Sequence, residues 1–274
     1  MKTIHLIAGL PRAGSTLLCN VLCQNPRFYA SATSPLLAIL RAIGGVWQRS
    51  PEILNQIEDY ESWEPRFRAT ILGTMQGWYS CRKEPVIFDK SRGWTTVLPF
   101  LERVLPNAKL ILCVRDLRDV VASVDRQACR TALYPDDLPM QMRPRVDAIL
   151  QRGVLTGPLN GLRDVLDRGW LDRVFIWWYE EFCYEPLQVM KRLYEYIGEE
   201  YYLHDFTDIK KANPEHDGVY KFTYPHEGRG PVTTDHIGKW IGYLPQEVAD
   251  SILERYAWFY RSFLVKKEAT DGVR

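Results

Sequence analysis

The sequence has no run of apolar residues that approaches the roughly 20 needed to span a membrane, and it has no internal repeat or low-complexity tract. It also has almost no net charge, since 35 basic and 34 acidic side chains leave +1 at pH 7. That balance argues against a nucleic-acid binder that works by bulk electrostatics. We therefore expect no nucleic-acid partner and no membrane partner, and any anion site must be built locally.

Paired cysteine spacings are also absent. The six cysteines form no CxxC motif, and several lie in apolar runs such as LILCV, which is typical of small core residues in a reducing compartment. The short apolar run at the N-terminus does not resemble a signal peptide, so we expect a cytoplasmic protein. The spacing of the histidines matches no zinc-binding pattern, and we expect no metal site.

What the sequence does contain is an alternation of apolar strands and helical segments. Short apolar runs predict four buried strands, at 3–9, 85–89, 108–114 and 173–180. Helical spacing follows two of them, at 15–25 and 116–128. This alternation predicts a parallel sheet flanked by helices on both faces. No composition break marks a linker, so we expect one P-loop-like α/β domain over residues 1–274.

The stretch GLPRAGSTLL, residues 9–18, has the glycine spacing of a P-loop, but Ser15 occupies the position of the P-loop lysine. The stretch follows an apolar strand and opens a helix, where unpaired N–H groups and the helix dipole favour an anion. Arg12, Ser15 and Thr16 add further donors. Without that lysine, the loop lacks the cation that binds the β- and γ-phosphates of a triphosphate. The loop therefore predicts a ligand with a single 5′-phosphate that bears a less charged transferable group.

A second element is AKLILCVRDLRDVVAS, in which a strand ends at Val114 and Arg115 follows. An arginine there points into the crevice where open α/β sheets bind ligands. Ser123 lies about two turns into the next helix. On the residues alone, an ion pair of Arg115 with Asp116 or Asp119 explains the arginine equally well.

Together the two motifs resemble the PAPS-dependent sulfotransferases, in particular the tyrosylprotein-sulfotransferase-like branch and its bacterial small-molecule relatives (PAPS is 3′-phosphoadenosine 5′-phosphosulfate). The resemblance implies PAPS as the sulfuryl donor and 3′,5′-ADP as the product, with no metal. It assigns the 3′-phosphate to Arg115 and Ser123. It assigns the 5′-phosphosulfate to the loop residues Arg12, Ala13, Gly14, Ser15, Thr16 and Leu17.

Three further segments resemble the same family, in the same order along the chain. FDKSRGW implies that Lys90 acts with Arg12 in catalysis, by stabilising the departing phosphate. WYEEFCYEP implies that Tyr179 lies beside the adenine, although a core tyrosine fits this position nearly as well. HIGKW implies that Lys239 lies near the phosphates. The alternative for the first segment is a Walker-B-like strand in which Asp89 holds Mg²⁺.

One position departs from the family pattern. In the tyrosylprotein branch a glutamate about twenty residues past the loop arginine acts as general base, whereas Thr33 and Ser34 stand here. Neither hydroxyl is a base at neutral pH. The sequence leaves six candidate bases without choosing among them: His204, His216, His226, His236, Glu52 and Asp89.

The acceptor pocket is expected to involve residues 28–50, 131–146 and 204–235, which the nucleotide does not need. These segments are rich in aromatic and acidic residues, among them Tyr29, Trp47, Tyr134, Asp136, Asp137, Tyr220 and Tyr224. Such residues suit a compact, cationic small molecule. The sequence thus predicts sulfuryl transfer to a hydroxyl or amine of a small molecule, with natural-product tailoring within the range of the family. Two alternatives are a Mg²⁺-dependent small-molecule kinase and a non-catalytic nucleotide-binding protein of the same fold.

Overall fold

The computed structural model describes residues 1–56, 60–131, 141–213, 215–217, 226 and 228–263. One sheet contains five parallel strands in the order β2–β3–β1–β4–β5. The strands are β1 Thr3–Gly9, β2 Phe28–Ala30, β3 Val86–Lys90, β4 Leu110–Val114 and β5 Val174–Trp178. All four predicted strands are present, and the three-residue β2 is additional, because a strand this short leaves no readable pattern in the sequence.

Helices connect these strands. Their bounds are α1 Ser15–Leu22, α2 Leu36–Arg49, α3 Pro51–Asn55, α4 Tyr60–Trp78, α5 Leu98–Val104, α6 Leu117–Thr131, α7 Met142–Gln151, α8 Thr156–Asp167, α9 Tyr179–Tyr184, α10 Pro186–Ile197 and α11 Gln246–Arg255. Short 3₁₀ turns cover Arg92–Val97 and Leu171–Arg173. Within the described ranges, no helix has the length and apolar character needed to cross a membrane.

The central strands are buried from end to end. Every residue of β4 is buried, as is every residue of β1 after Thr3. Because successive side chains of a strand point to opposite faces of the sheet, both faces must be covered. The predicted α/β fold, with a parallel sheet flanked by helices on both faces, is therefore confirmed. The extension of this one domain over all of 1–274 stays a prediction.

The strand order fixes where a ligand can bind. From β1 the chain proceeds to β2 and β3 on one side of the sheet, and then to β4 and β5 on the other. A reversal of this kind opens a crevice at the carboxyl end of the central strand. Register places Lys90 of β3 opposite Ile7 of β1, and Cys113 of β4 opposite Gly9. The loop after β1, Lys90 and the residue after β4 therefore reach the same edge.

Two segments expected to line the acceptor pocket, 131–146 and 204–235, are described only in part. Residues 132–140 lie outside the described residues, and helix α7 begins beyond them at Met142. Between 204 and 236 the described residues carry a single isolated bridge that pairs Ile209 with Gly230. The predicted pocket residues Tyr134, Asp136, Asp137, Tyr220 and Tyr224 all lie outside the described residues.

Substitution of Gly9 tests how closely β1 and β4 approach each other. The φ of Gly9 is +115°, and a Cβ built there would lie 2.1 Å from the carbonyl oxygen of Cys113. Gly9→Ala therefore combines backbone strain with a backbone clash, and we expect it to lower the free energy of unfolding by at least about 3 kcal/mol. Urea unfolding followed by circular dichroism measures this change. Gly44→Ala in α2 is the control, since a Cβ there meets nothing within 4 Å; a similar loss in the control would contradict the prediction.

Candidate active site

The loop between β1 and α1 is shaped by unusual backbone angles. Arg12 has φ 61° and Gly14 has φ 76°, and Arg12 is the one non-glycine residue with positive φ in the described ranges. Helix α1 begins at Ser15 without a side-chain cap. Its first-turn amides therefore have no partner inside the helix and can bind a ligand. This is the arrangement that the glycine spacing predicts for an anion site.

The rings of Trp177 and Tyr179 lie directly against the loop between β1 and α1. A Cβ built at Gly14 would lie 2.6 Å from the ring of Tyr179 and 2.9 Å from the ring of Trp177. Only glycine fits there, so the loop backbone packs directly on these rings. The structure places Tyr179 against the loop and buries it, but its predicted contact with an adenine stays a prediction.

The two sequence motifs meet in space. Nε of Arg12 donates a hydrogen bond of 3.0 Å to Oγ of Ser123. Nη1 of Arg115 donates one of 3.0 Å to the carbonyl oxygen of Arg12. The loop and the Arg115–Ser123 pair are therefore parts of one site, although more than 100 residues separate them.

Arg115 also fixes the C-terminal motif. Its side chain is 10% exposed, and it lies 3.5 Å from Oδ2 of Asp119, as the ion-pair alternative expected. Nη2 of Arg115 donates to the carbonyl oxygen of His236. Asp119 in turn accepts from the backbone N–H groups of Gly238, at 2.7 Å, and Trp240, at 2.9 Å. The HIGKW segment is thereby held against α6, and the side chain of Lys239 is exposed, while its predicted contact with the phosphates stays a prediction.

Glu180 is a site residue that the sequence reasoning missed. Its carboxyl group lies 4.0 Å from Nε of Arg115 and accepts a hydrogen bond of 3.0 Å from the backbone N–H of Asp116. Burial raises the pKa of Glu180 to about 7, although the neighbouring Arg115 opposes the rise. The signal in the sequence was its position directly after Tyr179, at the carboxyl end of β5.

Asp89 is occupied by three donors, from Ser34 at 2.5 Å, Tyr79 at 2.6 Å and Trp94 at 2.8 Å. Its side chain is fully buried. A carboxylate that is fully buried and bound by three donors anchors the end of β3 and cannot be reached by an acceptor. The geometry therefore argues against Asp89 as general base, and equally against Asp89 as a Walker-B-like ligand.

Lys90 is the next residue along β3 and is partly buried. Burial lowers the pKa of its ammonium group. Among the residues that the structure describes, none forms a hydrogen bond or ion pair with this ammonium group. Its charge is thus available to an anion at the carboxyl edge of the sheet.

Most other candidate bases have structural or surface positions. His204 is buried among aromatic rings and bonds to the hydroxyl of Tyr194 at 3.1 Å, and burial lowers its pKa to about 4. Glu52 is exposed at the start of α3, where the hydroxyl of Ser50 lowers its pKa. His216 and His236 have exposed side chains.

His226 is different, because Nδ1 lies 2.6 Å from Oδ1 of Asp217 and 3.9 Å from Oε2 of Glu215. The ligand atoms of these three residues all lie within 4.8 Å of one another. The cluster is next to Thr33, whose backbone N–H and hydroxyl both donate to Glu215. No pattern around Glu215 marked it in the sequence.

The described aromatic residues of the predicted acceptor pocket pack into clusters. Tyr29 is buried against Tyr79, and the guanidinium of Arg82 lies 4.2 Å from its ring centre. Trp47 packs edge-on against Trp63 and Phe67. These rings shape the protein on the β2 side of the site, and their contact with an acceptor stays a prediction.

A family model described as the sulfotransferase family matches residues 6–202 of the chain, which include the loop, Lys90, Arg115, Ser123 and Tyr179. The chain belongs to the sulfotransferase family. The resemblance drawn from the five short motifs is thereby confirmed.

The curated relatives of this sulfotransferase are longer than it is. Protein-tyrosine sulfotransferase A of Caenorhabditis elegans is 24% identical over 261 residues, covering 88% of this chain and 62% of the worm protein. Protein-tyrosine sulfotransferase 2 of Gallus gallus is 23% identical over 266 residues, covering 88% and 64%. The chain thus spans less than two thirds of the length of either relative.

Solved structures show the same fold. The sulfotransferase domain of the Synechococcus PCC 7002 olefin synthase superposes with a TM-score of 0.53 at 18% identity, covering 94% of this chain and 96% of that domain. Mouse sulfotransferase SULT7A1, solved in complex with PAP, gives a TM-score of 0.55 at 13% identity, covering 92% and 82%. At such identities the likeness concerns the fold alone.

The raised pKa of Glu180 predicts a pH-dependent effect of Glu180→Gln. Between the ordinary value of 4.5 and about 7 the unfolded chain ionises this carboxyl group while the folded chain keeps it protonated, so its contribution to stability is present at low pH and is lost as pH rises. Glutamine does not titrate. The stability of the variant relative to wild type should therefore rise by up to about 3 kcal/mol from about pH 4 to about pH 8.

Urea unfolding at both pH values measures this difference. Glu185→Gln, at an exposed glutamate of the same region, controls for the loss of a charge. If the relative stability of Glu180→Gln is the same at both pH values, Glu180 is not a carboxyl group with a raised pKa.

Proposed function

We propose that this sulfotransferase moves a sulfuryl group from PAPS to a hydroxyl or amine of a small molecule and releases 3′,5′-ADP. The observation that carries the proposal is the convergence of three elements at one edge of the sheet. These are the lysine-free loop with Arg12, the Arg115–Ser123 pair bonded to it, and the ammonium group of Lys90.

The residues of the site fit PAPS. The first-turn amides of α1 have no side-chain cap, and the buried Nε of Arg115 has no hydrogen-bond partner in the described part of the chain. We assign the 5′-phosphosulfate to the loop from Arg12 to Leu17. The 3′-phosphate falls to Arg115 and Ser123, the adenine to Tyr179, and a further phosphate contact to Lys239. When bound, PAPS supplies the transferable sulfuryl group.

Lys90 and Arg12 carry the catalytic part of the proposal. The 5′-phosphate gains negative charge as its bond to sulfur breaks, and preorganised cations stabilise charge that develops in a transition state. A sulfuryl group carries less charge than a phosphoryl group, so we propose that no bridging metal is needed. The kinase alternative loses its Mg²⁺ ligand, since three donors already occupy Asp89.

The acceptor has two candidates. A small molecule is our proposal, whereas the relatives named protein-tyrosine sulfotransferases favour the phenolic hydroxyl of a tyrosine as the second. Both present a nucleophilic oxygen to the same sulfur. A cytoplasmic location is part of the proposal, because all six cysteines are free thiols.

Ligand-dependent melting tests whether the site binds PAPS. We expect 3′,5′-ADP, at 100 times its dissociation constant, to add about 2.7 kcal/mol to stability without metal. Adenosine 5′-monophosphate lacks the 3′-phosphate and should give a smaller shift. Stabilisation by ATP with Mg²⁺, and none by 3′,5′-ADP, would overturn the proposal in favour of a kinase.

Replacement of Lys90 tests the leaving-group role. Lys90→Ala should lower turnover by about 10²–10³-fold, the range for loss of one preorganised donor. Turnover can be followed as 3′,5′-ADP release with PAPS and a panel of phenols and amines. Lys191→Ala, at an exposed position of α10, is the matched control. Unchanged turnover in folded Lys90→Ala would remove Lys90 from the mechanism, and absence of turnover in wild type would favour the non-catalytic alternative.

A further inference from the structure

Thr33 and Ser34 stand at the sequence position where the tyrosylprotein branch has its general base, and neither is a carboxylate. Thr33, however, binds a carboxylate. Its backbone N–H donates a hydrogen bond of 2.8 Å to Oε1 of Glu215, and its hydroxyl donates one of 2.7 Å to Oε2. A carboxylate from a distant segment is thus bound directly at the vacant position.

The segment that carries Glu215 is fixed by further contacts. Nδ2 of Asn213 donates to the carbonyl oxygen of Ala30, at the end of β2, over 2.6 Å. The backbone N–H of Ala212 donates to Oδ1 of Asn20 in α1 over 3.2 Å. Nδ2 of Asn20 also donates to the carbonyl oxygen of Gly228, at 2.9 Å. These bonds tie both sides of the segment to α1 and β2, and so set the location of Glu215.

This location faces the proposed leaving-group site. Strands β2 and β3 are parallel neighbours, and Ala30 is in register with Phe88. Thr33 and Lys90 follow these paired residues at the same edge of the sheet. Burial lowers the pKa of Lys90, and Glu215 is among the groups whose charge opposes that shift. Thr33, which binds the carboxylate of Glu215, and Lys90 therefore lie at the same edge of the sheet.

Glu215 has capacity to bind a further proton donor. Its side chain is 16% exposed. An ionised carboxylate offers about four lone-pair sites, of which Thr33 uses two. His226 lies beside it, oriented by two contacts to Asp217, through Nδ1 at 2.6 Å and through its backbone N–H at 2.9 Å. Thr33 thus positions the carboxylate, and within the described ranges its remaining lone-pair sites accept no hydrogen bond.

We propose that Glu215 is the general base for the acceptor, in place of the carboxylate missing at Thr33, with Thr33 as its positioning residue. The inference rests on the proposed sulfuryl transfer. The acceptor oxygen forms a bond to sulfur and gives its proton to Glu215. The bond between sulfur and the 5′-phosphate oxygen breaks, and its electron pair leaves with 3′,5′-ADP, next to Lys90.

Kinetics with two phenols separate this role from a structural one. At mildly alkaline pH p-cresol is largely protonated, since an ordinary phenol has a pKa of about 10, whereas p-nitrophenol is largely ionised. Glu215→Gln keeps an acceptor oxygen for Thr33. We expect it to lower kcat with p-cresol by about 10²–10⁴-fold and to change kcat with p-nitrophenol by less than about tenfold. Glu200→Gln, at an exposed glutamate, should change neither.

A second readout needs no turnover. In the dead-end complex with 3′,5′-ADP, a carboxylate beside the bound phenol disfavours the phenolate, so the pKa of bound p-nitrophenol should be lower in Glu215→Gln than in wild type. Absorbance of the nitrophenolate measures this shift. Thr33→Val removes one of the two hydrogen bonds and should give an intermediate loss of kcat with p-cresol.

The outcomes distinguish the two proposals. Stabilisation of Glu215→Gln by 3′,5′-ADP to the wild-type extent, together with selective loss of p-cresol turnover and the absorbance shift, supports the inference. Equal losses with both phenols and no absorbance shift overturn it, while the proposed function stands. If wild type is neither stabilised by 3′,5′-ADP nor active on either phenol, the proposed function fails, and the inference fails with it.

Discussion

The buried guanidinium of Arg115 is the contact on which the rest of the site depends. A buried cation is costly unless it is paired and hydrogen-bonded, and here the partners come from separate parts of the chain: the carbonyl of Arg12, the carboxylate of Asp119, the carbonyl of His236 and the ring of Tyr179. Satisfying this one side chain therefore draws the loop, α6, the C-terminal segment and the end of β5 into one arrangement. Asp119 extends it by accepting from the amides of Gly238 and Trp240.

The strand order also places different chemical groups on the two sides of the sheet edge. The side of β1 and β4 carries the donors suited to a nucleotide, namely the amides of α1, Arg12 and Arg115. The side of β2 and β3 carries Thr33 and Ser34. Lys90 lies between the two sides, and its neighbour Asp89, bonded to three donors, holds the end of β3 in place. The strand end that carries Lys90 is therefore held in place by the buried carboxylate next to it.

On our proposal, the general base stays at the same edge of the sheet although the residue that fills the role comes from a different position in the sequence. Thr33 cannot accept a proton, yet it binds Glu215, which comes from a segment fastened to α1 and β2 by Asn20 and Asn213. A comparison made by position along the chain finds only the loss of the glutamate. The folded chain shows a carboxylate bound to Thr33 at the same edge of the sheet.

The sequence by itself determined the fold class and the anion loop, because both depend on local patterns. These patterns are continuous apolar runs for the buried strands, helical spacing, and the spacing of the glycines just before a helix. It also identified Arg12, Lys90, Arg115 and Ser123 through short motifs. It could not find β2, which is too short to leave a pattern, or Glu215, whose neighbours along the chain do not mark it. Glu180 was missed although it directly follows Tyr179. Only the tertiary structure decided that Asp89 is fully buried with three donors, that His204 belongs to an aromatic cluster, and that Thr33 holds Glu215. Those facts depend on contacts between residues far apart in the chain, and such contacts exist only once the chain has folded.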